Sequence, residues 1–127
     1  MPQTQTQAVD AQERSRVMTM AVARAAEKLG VSGKDLATIL GVSEPTISRM
    51  RKDEYRLEDG AKAFELGALF VRLFRSLDAI TGGDEQVAKA WLRNDNRALG
   101  GRPLDQIKTI AGLTRALAYL DSRRAPL

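Results

Sequence analysis

The chain has 127 residues, 43% hydrophobic and 28% charged, with a formal net charge of +4 and a pI near 9.8. That size suits one domain, or two small helical lobes sharing a core, and the basic balance is compatible with nucleic acid without demanding it. Cysteine and histidine are both absent, which excludes disulfides and thiolate sites and removes the commonest general base and zinc ligand. The expectation is a non-enzymatic protein with no cofactor and no metal.

Residues 1–10 are rich in Gln and Thr and lack a basic-then-apolar signal pattern, so they are expected as a disordered lead-in. No apolar run approaches the roughly twenty residues that span a bilayer, so a cytoplasmic protein without membrane association is expected. A first helix is predicted over Gln12–Leu29, with Met18, Val22, Ala25 and Leu29 as its inner stripe and Gly30 ending it.

The segment Gly33–Lys52 reads as two short helices joined by a tight turn. Ser32 with Asp35 forms a capping-box pattern, and Leu36, Ala37, Ile39 and Leu40 supply the apolar side of the first helix. Gly41 falls where the chain must turn sharply, and Val42 tucks into the corner. Ser43 caps the second helix, Glu44 suits its positive end and Pro45 is tolerated in its first turn. Ile47 and Met50 face inward, which leaves Ser43, Glu44, Thr46, Ser48, Arg49 and Lys52 pointing outward.

This is the helix-turn-helix that sets a recognition helix in the DNA major groove. Ser43, Glu44, Thr46, Ser48 and Arg49 are the candidate contacts at or near base edges, with Glu44 able to accept from cytosine and Arg49 to fork onto guanine. Arg51, Lys52 and Arg56 suit phosphates. These cations lie among Glu44, Asp53, Glu54, Glu58 and Asp59, so the region is locally neutral and affinity must come from oriented Arg and Lys side chains. The segment resembles the Xre/Cro class of bacterial and phage repressors.

A polar link, Lys52–Asp59, leads to a long helix expected over about residues 60–80. Leu66, Phe70, Leu73, Leu77 and Ile80 form one stripe, Phe64 and Val71 lie nearly opposite, and Phe74 lies between. A helix apolar on more than one side is buried on more than one side. It is read as the central core helix, with a dimer interface over part of it as the other reading. Residues 11–80 are therefore taken as a helix-turn-helix region with a long core helix that links both halves, and 81–127 as a C-terminal domain.

Thr81-Gly82-Gly83 stops the long helix and Asp84 caps the next, whose apolar face is Val87, Ala88, Trp91 and Leu92. Trp91 is expected as a core anchor. Asn94-Asp95-Asn96 breaks this helix, and Leu99 to Leu104 makes a turn with Pro103 at a first helical position. Leu104, Ile107 and Ile110 are expected inward. Gly112 is expected to separate off a last helix carrying Leu113, Ala116, Leu117 and Leu120. No segment alternates as strands do, so the predicted fold is all-α.

The series Gly83-Asp84, Ala90-Trp91-Leu92, Asn96, Leu99-Gly100-Gly101-Arg102-Pro103-Leu104, Thr109, Gly112 and Leu117 resembles the C-terminal toxin-binding domain of the Xre/MbcA/ParS antitoxins. In that family it follows an Xre-type helix-turn-helix, and the resemblance here covers about residues 17–122. It implies a type II antitoxin that binds and blocks a RES-domain, NAD-degrading toxin, its C-terminal end reaching the toxin's cleft. It also implies that the toxin–antitoxin complex represses its own operon through the helix-turn-helix, for which a homodimer within that complex, reading an inverted repeat of operator DNA, is expected.

Where many relatives have a glycine after the last helix, this chain has Asp121-Ser122-Arg123-Arg124-Ala125-Pro126-Leu127. These are the candidate toxin-binding residues: Arg123 and Arg124 can fork onto carboxylates, and Pro126-Leu127 offers a stiff apolar end. The helical face around Leu113–Leu120 is the second candidate. The alternative function is a free-standing Xre-type transcriptional repressor whose C-terminal half serves dimerisation or sensing.

Overall fold

The computed structural model describes residues 5–124. Among them it has helices and turns but no strand, only an isolated bridge between Asn96 and Gly101. Helix α1 spans Gln5–Leu29, starting well ahead of Gln12, so Gln5–Asp10 form its first turns instead of a lead-in without structure. Nothing in that stretch breaks a helix, and its Gln and Ala residues favour one.

Helices α2 (Gly33–Leu40) and α3 (Glu44–Arg51) form the helix-turn-helix, and its local signals act as read. Ser32 accepts from the Asp35 amide at 3.1 Å and Ser43 from the Thr46 amide at 3.2 Å, each satisfying an orphan donor at a helix start. Gly41 adopts φ +71°, the left-handed conformation that ends α2. Leu36, Ala37, Ile39, Leu40, Ile47 and Met50 are all buried.

Helix α4 (Lys62–Ile80) is the central element, packed most extensively against α1 and the last helix. Phe70, Leu73 and Leu77 are buried on one side and Val71 on another, as expected of a helix enclosed from two directions. Gly67 lies in its middle at a close approach: a Cβ there would stand 3.0 Å from Val22 Cγ2 and 3.3 Å from Leu57 Cδ1. Leu57 comes from the Lys52–Asp59 link, read as polar, yet it is fully buried between α1 and α4.

Helices α5 (Glu85–Arg93), α6 (Pro103–Gln106) and α7 (Ile110–Arg124) complete the chain. Asp84 caps α5 by accepting from the Gln86 and Val87 amides, and Pro103 sits in the first turn of α6. Asn96 and Gly101 close the turn between them through paired backbone bonds. Gly112 lies inside the first turn of α7 rather than ahead of it.

The core is one continuous cluster running from Val22 to Leu120. Ile80, Val87 and Ile110, all expected inward, are exposed. Each sits at or near a helix end, where the apolar stripe runs past the edge of its packing partner. Trp91 is half-buried and stacks on Tyr119, with ring centroids 6.5 Å apart and planes inclined by 19°, so it flanks the core instead of anchoring it.

Candidate nucleic-acid interface and C-terminal site

Ile47 and Met50 pin α3 to the core, which turns Glu44, Pro45, Ser48, Arg49 and Lys52 to solvent. Ser43 is exposed at the cap. Thr46 is not: it is buried, and its hydroxyl lies 2.8 Å from Ser43 Oγ and accepts from Arg49 Nη2 at 3.3 Å. Thr46 shares the inward side with Ile47 because it lies one turn before Met50. Its polar group is spent within the helix, where it orients Arg49 instead of facing out.

Arg49 is further held by Tyr55, whose ring centroid lies 6.0 Å from its guanidinium carbon. Arg51 is exposed but turns back towards the α1–α2 turn, donating to the Val31 carbonyl at 3.3 Å. Arg56 makes a loose exposed pair with Asp53 at 3.8 Å. The side chains of Ser48, in the middle of the exposed face, and Lys52, at its end, have no partner among the described residues.

The loop after α3 is stitched to α1 by residues that sequence reasoning passed over. Thr19 Oγ1 accepts from the Leu57 amide at 2.9 Å while donating to the Ser15 carbonyl, and Ser15 Oγ accepts from the Asp59 amide at 3.0 Å. Arg14 forks onto Asp59 at 3.0 and 2.7 Å. A threonine inside an apolar stripe, three residues before Val22, was the available signal.

At the other end, α7 continues to Arg124, so Asp121–Arg124 are its last turn and not an extended tail. No breaker follows Leu120, and the two arginines suit the negative end of a helix. Asp121 pairs with Arg72 of α4, and Arg124 Nη1 donates to the Ser76 hydroxyl at 3.2 Å. Ser122 donates to the Tyr119 carbonyl at 2.7 Å, and Arg123 lies over the Tyr119 ring, 5.9 Å from its centroid. The candidates Ala125, Pro126 and Leu127 lie outside the described residues. On the second candidate face, around Leu113–Leu120, Leu113, Ala116, Leu117 and Leu120 are buried against the core, while Tyr119 stays partly open at the surface.

Residues 8–72 match the family model of the antitoxin Xre-like helix-turn-helix domain, and residues 76–125 match that of the antitoxin Xre/MbcA/ParS C-terminal toxin-binding domain. The chain belongs to the Xre/MbcA/ParS-type antitoxins. Comparison with curated proteins returns no match.

In this antitoxin the two matched segments are tied by specific polar contacts as well as by the shared core. Arg93 of α5 donates to the Leu29 and Gly30 carbonyls at the end of α1, at 3.1 and 2.6 Å. Lys108, between α6 and α7, pairs with Asp35 of α2 at 3.0 Å. Arg102 forks onto Asp105 at 3.0 and 2.8 Å, and these hydrogen bonds hold the Asp105 carboxyl below its ordinary range. Among the described residues no helix is long and apolar enough to cross a membrane, and no three acidic side chains group as a metal site.

Proposed function

We propose that this antitoxin binds and blocks a RES-domain, NAD-degrading toxin and represses its own operon through the helix-turn-helix. The observation that carries the reading is the pairing, in one chain, of an Xre-like helix-turn-helix segment with a C-terminal toxin-binding segment over residues 76–125. Inhibition is steric: the C-terminal end occupies the toxin's cleft and excludes substrate. It acts in the cytoplasm, where operator DNA and NAD are both present.

On DNA, a homodimer sets two copies of α3 in successive major grooves of an inverted repeat. Glu44, Ser48 and Arg49 meet base edges, with Ser43 at the rim and Thr46 steering Arg49 from behind. Lys52 and Arg56 meet phosphates, and Arg51 joins them by giving up its bond to the Val31 carbonyl. On the toxin, the contact runs from the last turn of α7, Asp121–Arg124, into Ala125-Pro126-Leu127. Asp121 supports that turn through Arg72, leaving Ser122, Arg123 and the residues beyond to touch the partner.

Co-expression with the product of the adjacent reading frame is the test. The expected outcome is a stable complex that rescues growth and shifts the operator fragment. An operator shift by this chain alone, with no toxic neighbour to neutralise, would instead favour the free-standing repressor.

A further inference from the structure

From residue 76 onward, the large apolar side chains left exposed are Ile80 (42%), Val87 (50%) and Ile110 (58%). A lone exposed Val or Ile needs no explanation, but apolar groups that converge at one concavity do. Ile80, at the end of α4, and Val87, on α5, converge with Trp91, Tyr119, Leu120 and Arg123 on a cleft of about 170 Å³. Leu120 is buried beneath it and the Trp91–Tyr119 stack forms an aromatic wall.

The rim of the cleft is cationic. Arg123 is exposed and rests over the Tyr119 ring, without a carboxylate partner among the described residues. The nearby acid, Asp121, is already engaged by Arg72. An apolar, aromatic-walled cleft beside an unneutralised guanidinium fits an apolar side chain flanked by a carboxylate. A second copy of this chain, at net charge +4, is the poorer electrostatic match. Every residue lining the cleft falls within the segment matched to the toxin-binding family, residues 76–125.

We propose that the Ile80–Val87–Trp91–Tyr119 cleft is the docking site for the toxin, taking one apolar side chain with a neighbouring carboxylate on Arg123. This rests on the antitoxin reading above, and it adds to the contact made by the last residues a docking site at the α4–α5–α7 end of the fold.

Trp91 is the chain's single tryptophan, so an antitoxin labelled with 5-fluorotryptophan gives one fluorine resonance inside the cleft. It is titrated with the purified RES-domain protein encoded beside it, with affinity followed by calorimetry. The resonance should move on complex formation, and Val87→Glu should weaken binding by about tenfold or more. Arg123→Glu should weaken it as well. Ile110→Glu, equally exposed but outside the cleft, should stay within about twofold. Circular dichroism checks that each variant folds. Tight binding with an unmoved resonance and a neutral Val87→Glu overturns the cleft while leaving the antitoxin reading intact. Failure of the wild-type chain to bind the RES-domain protein overturns both. A resonance that moves with antitoxin concentration alone, and not with toxin, assigns the cleft to a second copy and overturns the proposal.

Discussion

Arg93 on α5 donates to the carbonyl of Gly30, the residue that ends α1, at 2.6 Å, and a second donation reaches Leu29 at 3.1 Å. Helix α1 ends with carbonyls that its own turns cannot satisfy, and a cation from the C-terminal segment supplies them with donors. The end of the helix that precedes the helix-turn-helix is thus completed by a residue more than sixty positions along the chain. Arg93→Ala should cost about 1–2 kcal/mol in urea unfolding. Arg93→Lys should recover only part of that, since one ammonium replaces a fork that spans two carbonyls. Equal stability of the alanine variant would mean that water replaces the guanidinium at no cost.

Gly112 tests the seam between α6 and α7. A Cβ at this position would lie 1.8 Å from the Gln106 carbonyl oxygen and 2.6 Å from its carbon, both backbone atoms that cannot swing aside. Gly112→Ala should therefore cost about 3 kcal/mol or more, read as a large drop in melting temperature. Gly33→Ala is the contrast: its nearest neighbour would be the end of the Arg51 side chain at 3.5 Å. That variant should change stability by less than about 1 kcal/mol, with helix propensity in its favour.

The loop behind the recognition helix depends on one hydroxyl. Thr19→Val keeps the shape but leaves the Leu57 amide without its acceptor in a buried setting, and should cost about 1–3 kcal/mol. Thr19→Ser keeps the oxygen and should cost less. Hydrogen exchange at the Leu57 amide is the direct readout, with protection falling in the valine variant and surviving in the serine one.

For operator binding, Arg49→Ala should weaken specific association by about 1–3 kcal/mol, and Lys52→Ala should lower the salt slope by about one. Thr46→Ala should give a smaller loss than Arg49→Ala, because the buried Thr46 hydroxyl only steers the guanidinium. Operator titrations at several salt concentrations separate the three. Unchanged binding of the Arg49 variant would remove it from the base-reading set.

Truncation divides the C-terminal end into its two parts. Deleting residues 121–127 also removes the Arg72–Asp121 pair and the Ser76–Arg124 bond, so it should lower the melting temperature as well as any inhibition. Deleting only residues 125–127 keeps both of those contacts. If that shorter deletion frees the toxin, measured as NAD loss in co-expressing cells, the last residues are the plug. Full neutralisation by the shorter chain would place the essential contact upstream, on the folded helices.

Much of this antitoxin was legible from neighbouring residues alone. Ser32, Gly41 and Ser43 set the ends of α2 and α3 through bonds spanning a single turn, Asp84 does the same for α5, and Pro103 starts α6 through its fixed φ. Such signals are local, so a linear reading captures them, and they suffice for an all-α chain with a helix-turn-helix near its start. What remained hidden depends on which surfaces meet. Leu57 sits in a polar stretch yet fills the space that Gly67 leaves open, and Thr46 turns inward with Ile47 although its chemistry suggested an outward role. Ile80 and Val87 continue apolar stripes beyond the reach of their partners and so become surface. Asp121–Arg124 stay helical because Arg72 and Ser76 of α4 lie alongside to receive them. Periodicity says that a face is apolar, but only packing against a second helix decides how far along it that face is covered.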